Sequence, residues 1–137
     1  MEIADVQKFL ADNHRGVLVT RKRDGWPQIT LVTPVIDGQG RVIITSRGTT
    51  YKLKNIRRDP RVSMLVMGEE FSGSKYVQFH GTAEIISQPE AMDLLIYWQR
   101  QVKGEHPNWD EHRETMKKEQ RVVIRINIEK VGPNKRG

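Results

Sequence analysis

Hydroxyl and basic side chains stand together at the start of a short predicted helix, in the stretch TTYKLKNIRRDP that begins at Thr49. Thr49 and Thr50 supply two hydroxyl groups, and Lys52 places an ammonium group in the first helical turn. The first backbone N–H groups of a helix are unpaired and carry partial positive charge. Hydroxyls, free N–H groups and a cation together suit a phosphate group. The residues therefore indicate a phosphate-binding site at this helix start.

Lys52 breaks a rule that the other predicted helix starts obey. Acidic residues are favoured in the first turn of a helix, and a lysine there costs up to about 1 kcal/mol. Helices further along the chain begin with Glu90 and with Asp110 and Glu111. One local departure in a consistent sequence is a sign of function. The alternative is an ordinary solvated face made of Lys52, Lys54, Arg57 and Arg58.

Six segments with strand-like composition must position this helix, and further helices are predicted over residues 3–12, from Pro89 and from Asn108. Their hairpin spacing favours a mainly β fold, an antiparallel barrel with peripheral helices, over a βαβ sheet. Such a small barrel is filled by its own side chains, so a ligand must lie outside it, in a groove or between two copies. The strands are predicted over residues 16–22, 27–36, 41–46, 61–67, 75–86 and 121–131.

Composition limits the classes of partner without choosing among them. The 137 residues predict one domain, residues 1–137, and the absence of cysteine excludes disulfides and thiolate metal sites. The sequence contains neither a signal peptide nor an apolar run of membrane-spanning length, so we expect a cytoplasmic protein. The net charge of +6 favours an anionic partner: nucleic acid, an acidic membrane face or a phosphorylated small molecule.

Two stretches resemble a known family. The segment SRGTTYKLKNIRRDPRVSMLV, which begins at Ser46, resembles the cofactor segment of the pyridoxamine-phosphate-oxidase-like flavin-binding split barrels. The stretch GEHPNWDEHR, which begins at Gly104, resembles the deazaflavin-dependent branch of that family. The resemblance implies a six-stranded antiparallel split β-barrel and a homodimer with two cofactor sites at the subunit interface. It also implies coenzyme F-420 as cofactor, with FMN as the alternative.

The same resemblance implies roles for individual residues. Thr50 and Lys52 would bind the cofactor phosphate, whereas Tyr51 stands where the oxidases carry arginine, which weakens that clamp. We find no match for the C-terminal arginine motif of true pyridoxamine phosphate oxidases, so that activity is not expected. The residues expected around the ribityl chain and ring are Thr45, Ser46, Gln28, Thr30, Val32 and Thr33. Arg47 and Lys54 are expected to contact the acidic tail of the deazaflavin.

The implied activity is hydride transfer from the reduced deazaflavin to a small unsaturated organic substrate. The cofactor supplies the chemistry and the protein orients it, so neither a nucleophile nor a metal is expected. Tyr76, His80 or a bound water would supply any proton, and the loop GEEFSGSK, residues 68–75, would shape the substrate side. Two alternatives stay open: a nucleic-acid-binding barrel and a carrier that binds the coenzyme without turnover.

Overall fold

In the part of the chain that the structure describes, a curled antiparallel sheet of seven strands forms the body and four helices lie at its periphery. The computed structural model describes residues 1–70 and 75–132. The strand order across the sheet is β2-β1-β5-β6-β7-β4-β3. The prediction of a mainly β, antiparallel fold is confirmed. The elements are α1 (Ile3–Asp12), β1 (Arg15–Arg21), β2 (Pro27–Val32), β3 (Val35–Ile36), β4 (Val42–Ser46), α2 (Tyr51–Arg58), β5 (Arg61–Met67), β6 (Tyr76–Ile86), α3 (Met92–Lys103), α4 (Trp109–Lys118) and β7 (Val122–Val131).

The strand predicted over residues 27–36 is in fact two strands, which changes the count from six to seven. β2 lies at one end of the sheet and β3 at the other, and the chain crosses between them at Thr33 and Pro34. Proline has no N–H to donate to a ladder, so it interrupts the pairing. The Pro34 ring packs over Gly16, where an added Cβ would lie 3.1 Å from Pro34 Cγ. This crossing brings the two ends of the sheet toward each other.

Two apolar clusters hold the sheet and the helices together. Alternate side chains of the strands, such as Leu18, Met64 and Phe79, are buried on the concave side and α1 covers them with Val6 and Leu10. A second cluster lies on the other side of β4 and β7, where α3 packs against them. Its fully buried members include Ile43, Leu95 and Val123.

The helix ends follow the capping residues in the sequence, with one exception. α1 has the predicted bounds, and α4 begins after Asn108, whose side-chain oxygen accepts a hydrogen bond from the Glu111 N–H at 3.1 Å. α3 begins at Met92, later than predicted, because residues 88–91 form a turn. Within residues 1–70 and 75–132, none of the helices has the length and apolar character needed to span a bilayer.

Gly81 marks an irregularity in β6. The pairing register of β6 with β7 shifts between His80 and Gly81. A Cβ at Gly81 would collide with the backbone oxygen of Asn127. We therefore expect Gly81→Ala to lower the free energy of unfolding by about 1–3 kcal/mol, as overpacking does. Gly38→Ala is the matched control, because nothing lies within 4 Å of an added Cβ there; equal urea unfolding curves for the two variants would contradict this expectation.

Candidate functional site

Asn55 ties α2 to the β1–β2 side of the sheet. Its side-chain nitrogen donates to Thr20 Oγ1 at 3.1 Å and to Gln28 Oε1 at 2.6 Å. Its side-chain oxygen accepts from Arg58 Nη2 at 3.0 Å, and the same nitrogen of Arg58 donates to the Arg21 carbonyl at 2.6 Å. Since Asn55 is buried, these bonds satisfy its amide and fix the orientation of Gln28. Sequence reasoning missed Asn55, although a polar residue on the buried stripe of a helix is a detectable signal.

The N-terminus of α2 is tied to the end of β4 by a hydrogen bond between two hydroxyl groups. Thr50 is the N-cap residue, but its hydroxyl does not cap the helix; it lies 2.9 Å from Ser46 Oγ. No acidic residue occupies the first turn of α2. The first N–H groups of this helix are thus left to a ligand or to water, with two hydroxyls beside them. Thr50 and Ser46 therefore come together, and Lys52 lies in the first turn of the same helix.

Lys52 is half-buried at this helix start and makes no ion pair with the described residues. Its pKa is lowered mainly by burial, and the positive charge of Arg121 lowers it further. Two cations whose charges act on each other, with a helix N-terminus beside them, make a local positive potential. The arrangement favours an anion such as a phosphate group.

Arg121 is a site residue that sequence reasoning missed. It directly precedes β7, whose Val122 pairs with Ser46 at the end of β4. That pairing places Arg121 near Lys52 although 69 positions separate them in the chain. Arg121 Nε donates to Glu119 Oε1 at 2.7 Å, and the other guanidinium N–H groups remain further donors. Recognising β4 and β7 as partners would have been needed to find it.

Gly48 allows the loop before α2 to lie against the turn before β7. An added Cβ at Gly48 would lie 2.7 Å from the Gln120 carbonyl oxygen, closer than real contacts allow. Gln120 itself has a positive φ of 53°, which shapes the tight turn. The close approach of these two segments brings the α2 start and Arg121 to the same place.

The residues predicted to surround the ring are only partly brought together. Gln28, Thr30 and Val32 share the half-buried face of β2, and Val32 packs on the core. The Thr33 carbonyl accepts a hydrogen bond from Trp98 Nε1 at 2.8 Å, which ties the β2–β3 crossing to α3. These four residues thus follow one edge of the sheet.

Thr45 and Ser46 point to opposite sides of β4, as neighbouring residues in a strand do. Ser46 faces Thr50 and α2. Thr45 instead lines a small cavity that α3 and α4 cover. The two residues therefore do not form one hydroxyl pair, although both lie where β4 ends.

A basic groove of about 630 Å³ runs beside α2, and Lys54 lies in it. Lys54 Nζ is 5.1 Å from the ring centroid of the exposed Tyr51. Arg47, the other residue predicted to meet an acidic tail, lies apart from this groove, and its Nη2 is 3.9 Å from Glu119 Oε2. The lining is Lys22, Arg23, Gln28, Tyr51, Lys54, Asn55 and Arg58, which includes no carboxylate.

The outer face of β2 is apolar and exposed. Ile29 and Leu31 expose 68% and 81% of their surface on this face, and Trp26, in the turn before β2, exposes 71%. Ile29 and Leu31 pair across the sheet with Val19 and Val17 of β1, so the apolar surface continues onto the neighbouring strand. Contiguous apolar surface of this kind marks an interaction site.

The remaining candidates show no arrangement for metal binding. No group of three potential ligands that could hold a metal is found within residues 1–70 and 75–132. His80 is exposed on β6, and its Nδ1 lies 2.7 Å from Ser63 Oγ; Tyr76 is half-buried on the same strand. Residues 71–74 of the predicted substrate-side loop lie outside the described residues.

Comparisons with known proteins identify the family and the fold. The family model described as pyridoxamine 5'-phosphate oxidase matches residues 3–135. A conserved hypothetical protein from Mycobacterium tuberculosis is similar in structure, with 27% identity, a TM-score of 0.79, and coverage of 96% of this chain and 82% of that one. An F-420 reductase shares 23% identity at a TM-score of 0.70, covering 92% of this chain and 94% of its own. An FAD-binding protein from Mesorhizobium loti shares 22% identity at a TM-score of 0.67, and the match covers 96% of this chain and 92% of that one.

Proposed function

The chain belongs to the pyridoxamine 5'-phosphate oxidase family, and from that premise we propose that it is an oxidoreductase that binds coenzyme F-420. The substrate we propose is a small unsaturated organic molecule that accepts a hydride from the reduced deazaflavin. One observation carries the proposal: Lys52 is half-buried without an ion pair among the described residues, at a helix start whose N–H groups have no side-chain cap. A cation in that position is stabilised when a phosphate arrives.

The site residues take the following roles. Lys52, with Arg121 near it, neutralises the phosphate, while the α2 N–H groups donate hydrogen bonds to its oxygens. The Thr50 hydroxyl, which bonds Ser46 in the structure, turns to donate to the phosphate as well. Gln28, held through its oxygen by Asn55, presents its amide N–H groups along the β2 edge. When bound, a deazaflavin supplies a two-electron hydride. Holding ring and substrate in contact and excluding water is the contribution of the protein.

We also propose that two copies of the chain form the working unit. Ile29 and Leu31 lie on the same strand as Gln28 and Thr30, but on its opposite face. A second copy that covers the apolar face would therefore bury the strand that carries the cofactor contacts. Closed pairs of identical subunits are the commonest assemblies of soluble proteins.

The basic groove favours F-420 over FMN, since only the deazaflavin carries an acidic tail. We propose that this tail lies along the groove, with Lys54 contacting its carboxylates. Exposed ion pairs of this kind contribute about 0.2–1 kcal/mol each. A nucleic-acid strand would instead use aromatic residues interleaved with cations on a strand face, and the groove offers Tyr51 alone among aromatic residues.

The test is a titration of the protein with F-420 and with FMN, followed by a screen of unsaturated acceptors with the reduced coenzyme. We expect tighter binding of F-420, and acceptor-dependent oxidation of the reduced form. The double variant Lys22→Met, Lys54→Met should weaken F-420 binding by about 3- to 10-fold and leave FMN binding within about twofold. Tighter binding of FMN, or equal losses for both coenzymes, would reject F-420; binding without turnover across the screen would indicate a carrier.

A further inference from the structure

A small cavity between β4, β7, α3 and α4 holds a histidine that the proposed chemistry does not use. The cavity measures about 120 Å³. His112 lines it from α4, Lys103 from α3, and Thr45 and Arg121 from the sheet side. A water molecule occupies about 30 Å³ of liquid, so the space accepts a few water molecules or one small ion.

His112 is buried without a hydrogen-bond partner for one ring nitrogen. The residue exposes 5% of its surface, and its Nδ1 is fully buried and unpartnered among the described residues. Buried polar atoms are almost always satisfied, and leaving one unpaired costs about 1–3 kcal/mol. His112 stands in the polar stretch NWDEHR, so its burial arises from tertiary packing.

Ring packing accounts for the position of His112 but not for its unpaired nitrogen. Its ring lies 5.3 Å from the ring of His106 and 5.3 Å from Trp109, the latter edge-on. Trp109 in turn donates through Nε1 to Glu105 Oε2 at 3.1 Å. None of these contacts gives a hydrogen bond to His112 Nδ1.

The surroundings of the cavity are positively charged. Burial makes the largest contribution to lowering the pKa of His112, and the nearby charges of His106, Arg113 and Lys103 lower it further. Arg121 supplies a further cation, although its Nε is engaged by Glu119. Among the residues that the structure describes, no carboxylate lines the cavity. A neutral imidazole can donate from Nδ1, and the positive field selects an anion as the acceptor.

We propose that this cavity is a binding site for a small oxyanion, the carboxylate or phosphate group of an acidic ligand. The His112 Nδ1–H and the Thr45 hydroxyl donate to its oxygens, and Lys103 balances its charge. The apolar Trp98 and Leu95 line the same cavity and contact the carbon atoms of such a ligand. The site lies on the face of β4 opposite the phosphate site at α2, so one ligand can bind while the other site is empty.

The experiment is a titration with acetate and with inorganic phosphate in the absence of coenzyme. The indole N–H resonance of Trp98, a cavity residue present in every variant, reports binding. We expect saturable shifts with one or both anions. His112→Phe keeps a ring of similar size but removes the nitrogen, and should weaken binding about 10-fold or more.

Three further variants separate this site from its alternatives. His112→Asn returns an amide near the Nδ1 position and should restore affinity to within about threefold. His106→Phe alters the same ring cluster outside the cavity and should leave the affinity unchanged. Lys52→Met should also leave it unchanged, so loss of the proposed coenzyme site and loss of this site are distinguishable. A Trp98 shift that stays linear with both anions, or equal affinity in His112→Phe, would overturn the proposal and leave water as the occupant.

Discussion

Replacing Lys52 with methionine is expected to weaken binding of the phosphorylated coenzyme by about 10- to 150-fold. Hydrogen bonds to charged groups contribute about 1.5–3 kcal/mol each, which corresponds to that range. Methionine keeps much of the length and the apolar stem of lysine, so the loss reports the ammonium group. The helix N–H groups, Thr50 and Arg121 remain, which is why binding is weakened rather than abolished.

The same variant is expected to stabilise the protein when no coenzyme is bound. The pKa of Lys52 is lower in the folded chain than the ordinary 10.5, because burial and Arg121 disfavour its charge. A charged Lys52 therefore destabilises the fold at neutral pH, and this penalty is lost only as the pH rises through the lowered pKa toward 10.5. Lys52→Met should thus raise the Tm at neutral pH by about 1–3 °C, as removal of unfavourable functional groups commonly does.

Lys8→Met is the matched control, since Lys8 is an exposed lysine on α1, away from the candidate site. It should change neither the coenzyme affinity nor the Tm. Affinity is measured by equilibrium titration and Tm by calorimetry at neutral and at alkaline pH. An unchanged affinity in Lys52→Met would remove the phosphate role, and a lowered Tm would show that Lys52 is instead a stabilising structural residue.

Placing a charge on the outer face of β2 is expected to separate the proposed dimer. In Leu31→Asp, each of the two copies would place one unpaired carboxylate in the proposed interface. An uncompensated buried charge costs about 3–5 kcal/mol. The dissociation constant of the dimer should therefore rise about a thousandfold or more. The folded monomer should persist, because Leu31 points away from the core. Coenzyme affinity should fall as well if the site lies between the subunits.

Ile3→Asp controls for a new charge at an exposed apolar residue outside β2. Ile3 is exposed on α1, and its replacement should leave the assembly unchanged. Sedimentation velocity over a range of protein concentrations measures the dissociation constants. A monomeric unaltered protein, or a Leu31→Asp variant that stays as dimeric as the control, would contradict the assignment of this face.

Local signals were sufficient for most of the elements. Asn108 followed by Asp110 and Glu111 fixed the start of α4, and the first helix kept its predicted bounds. Lys52 was recognised because it violates a local rule, and the structure places it at the helix start beside Thr50 and Ser46. Such signals depend only on neighbours in the chain, so the sequence contains them directly.

Features that depend on contacts between distant segments could not be predicted in the same way. Arg121 reaches the α2 start only because β4 and β7 are paired. The division of the segment 27–36 into two strands depends on where Pro34 falls relative to the two ends of the sheet. The burial of His112 depends on α4 closing over the end of β4. Each requires the topology, which local patterns leave undetermined.

The measurement that tests the central claim most directly compares two ligands that differ only in a phosphate group. The affinities of the deazaflavin ribityl core with and without its 5'-phosphate are measured for the unaltered protein and for Lys52→Met. We expect the phosphate to strengthen binding about 10- to 150-fold more in the unaltered protein than in the variant. An equal preference for the phosphorylated core in both proteins would mean that the helix start at Lys52 does not hold the phosphate.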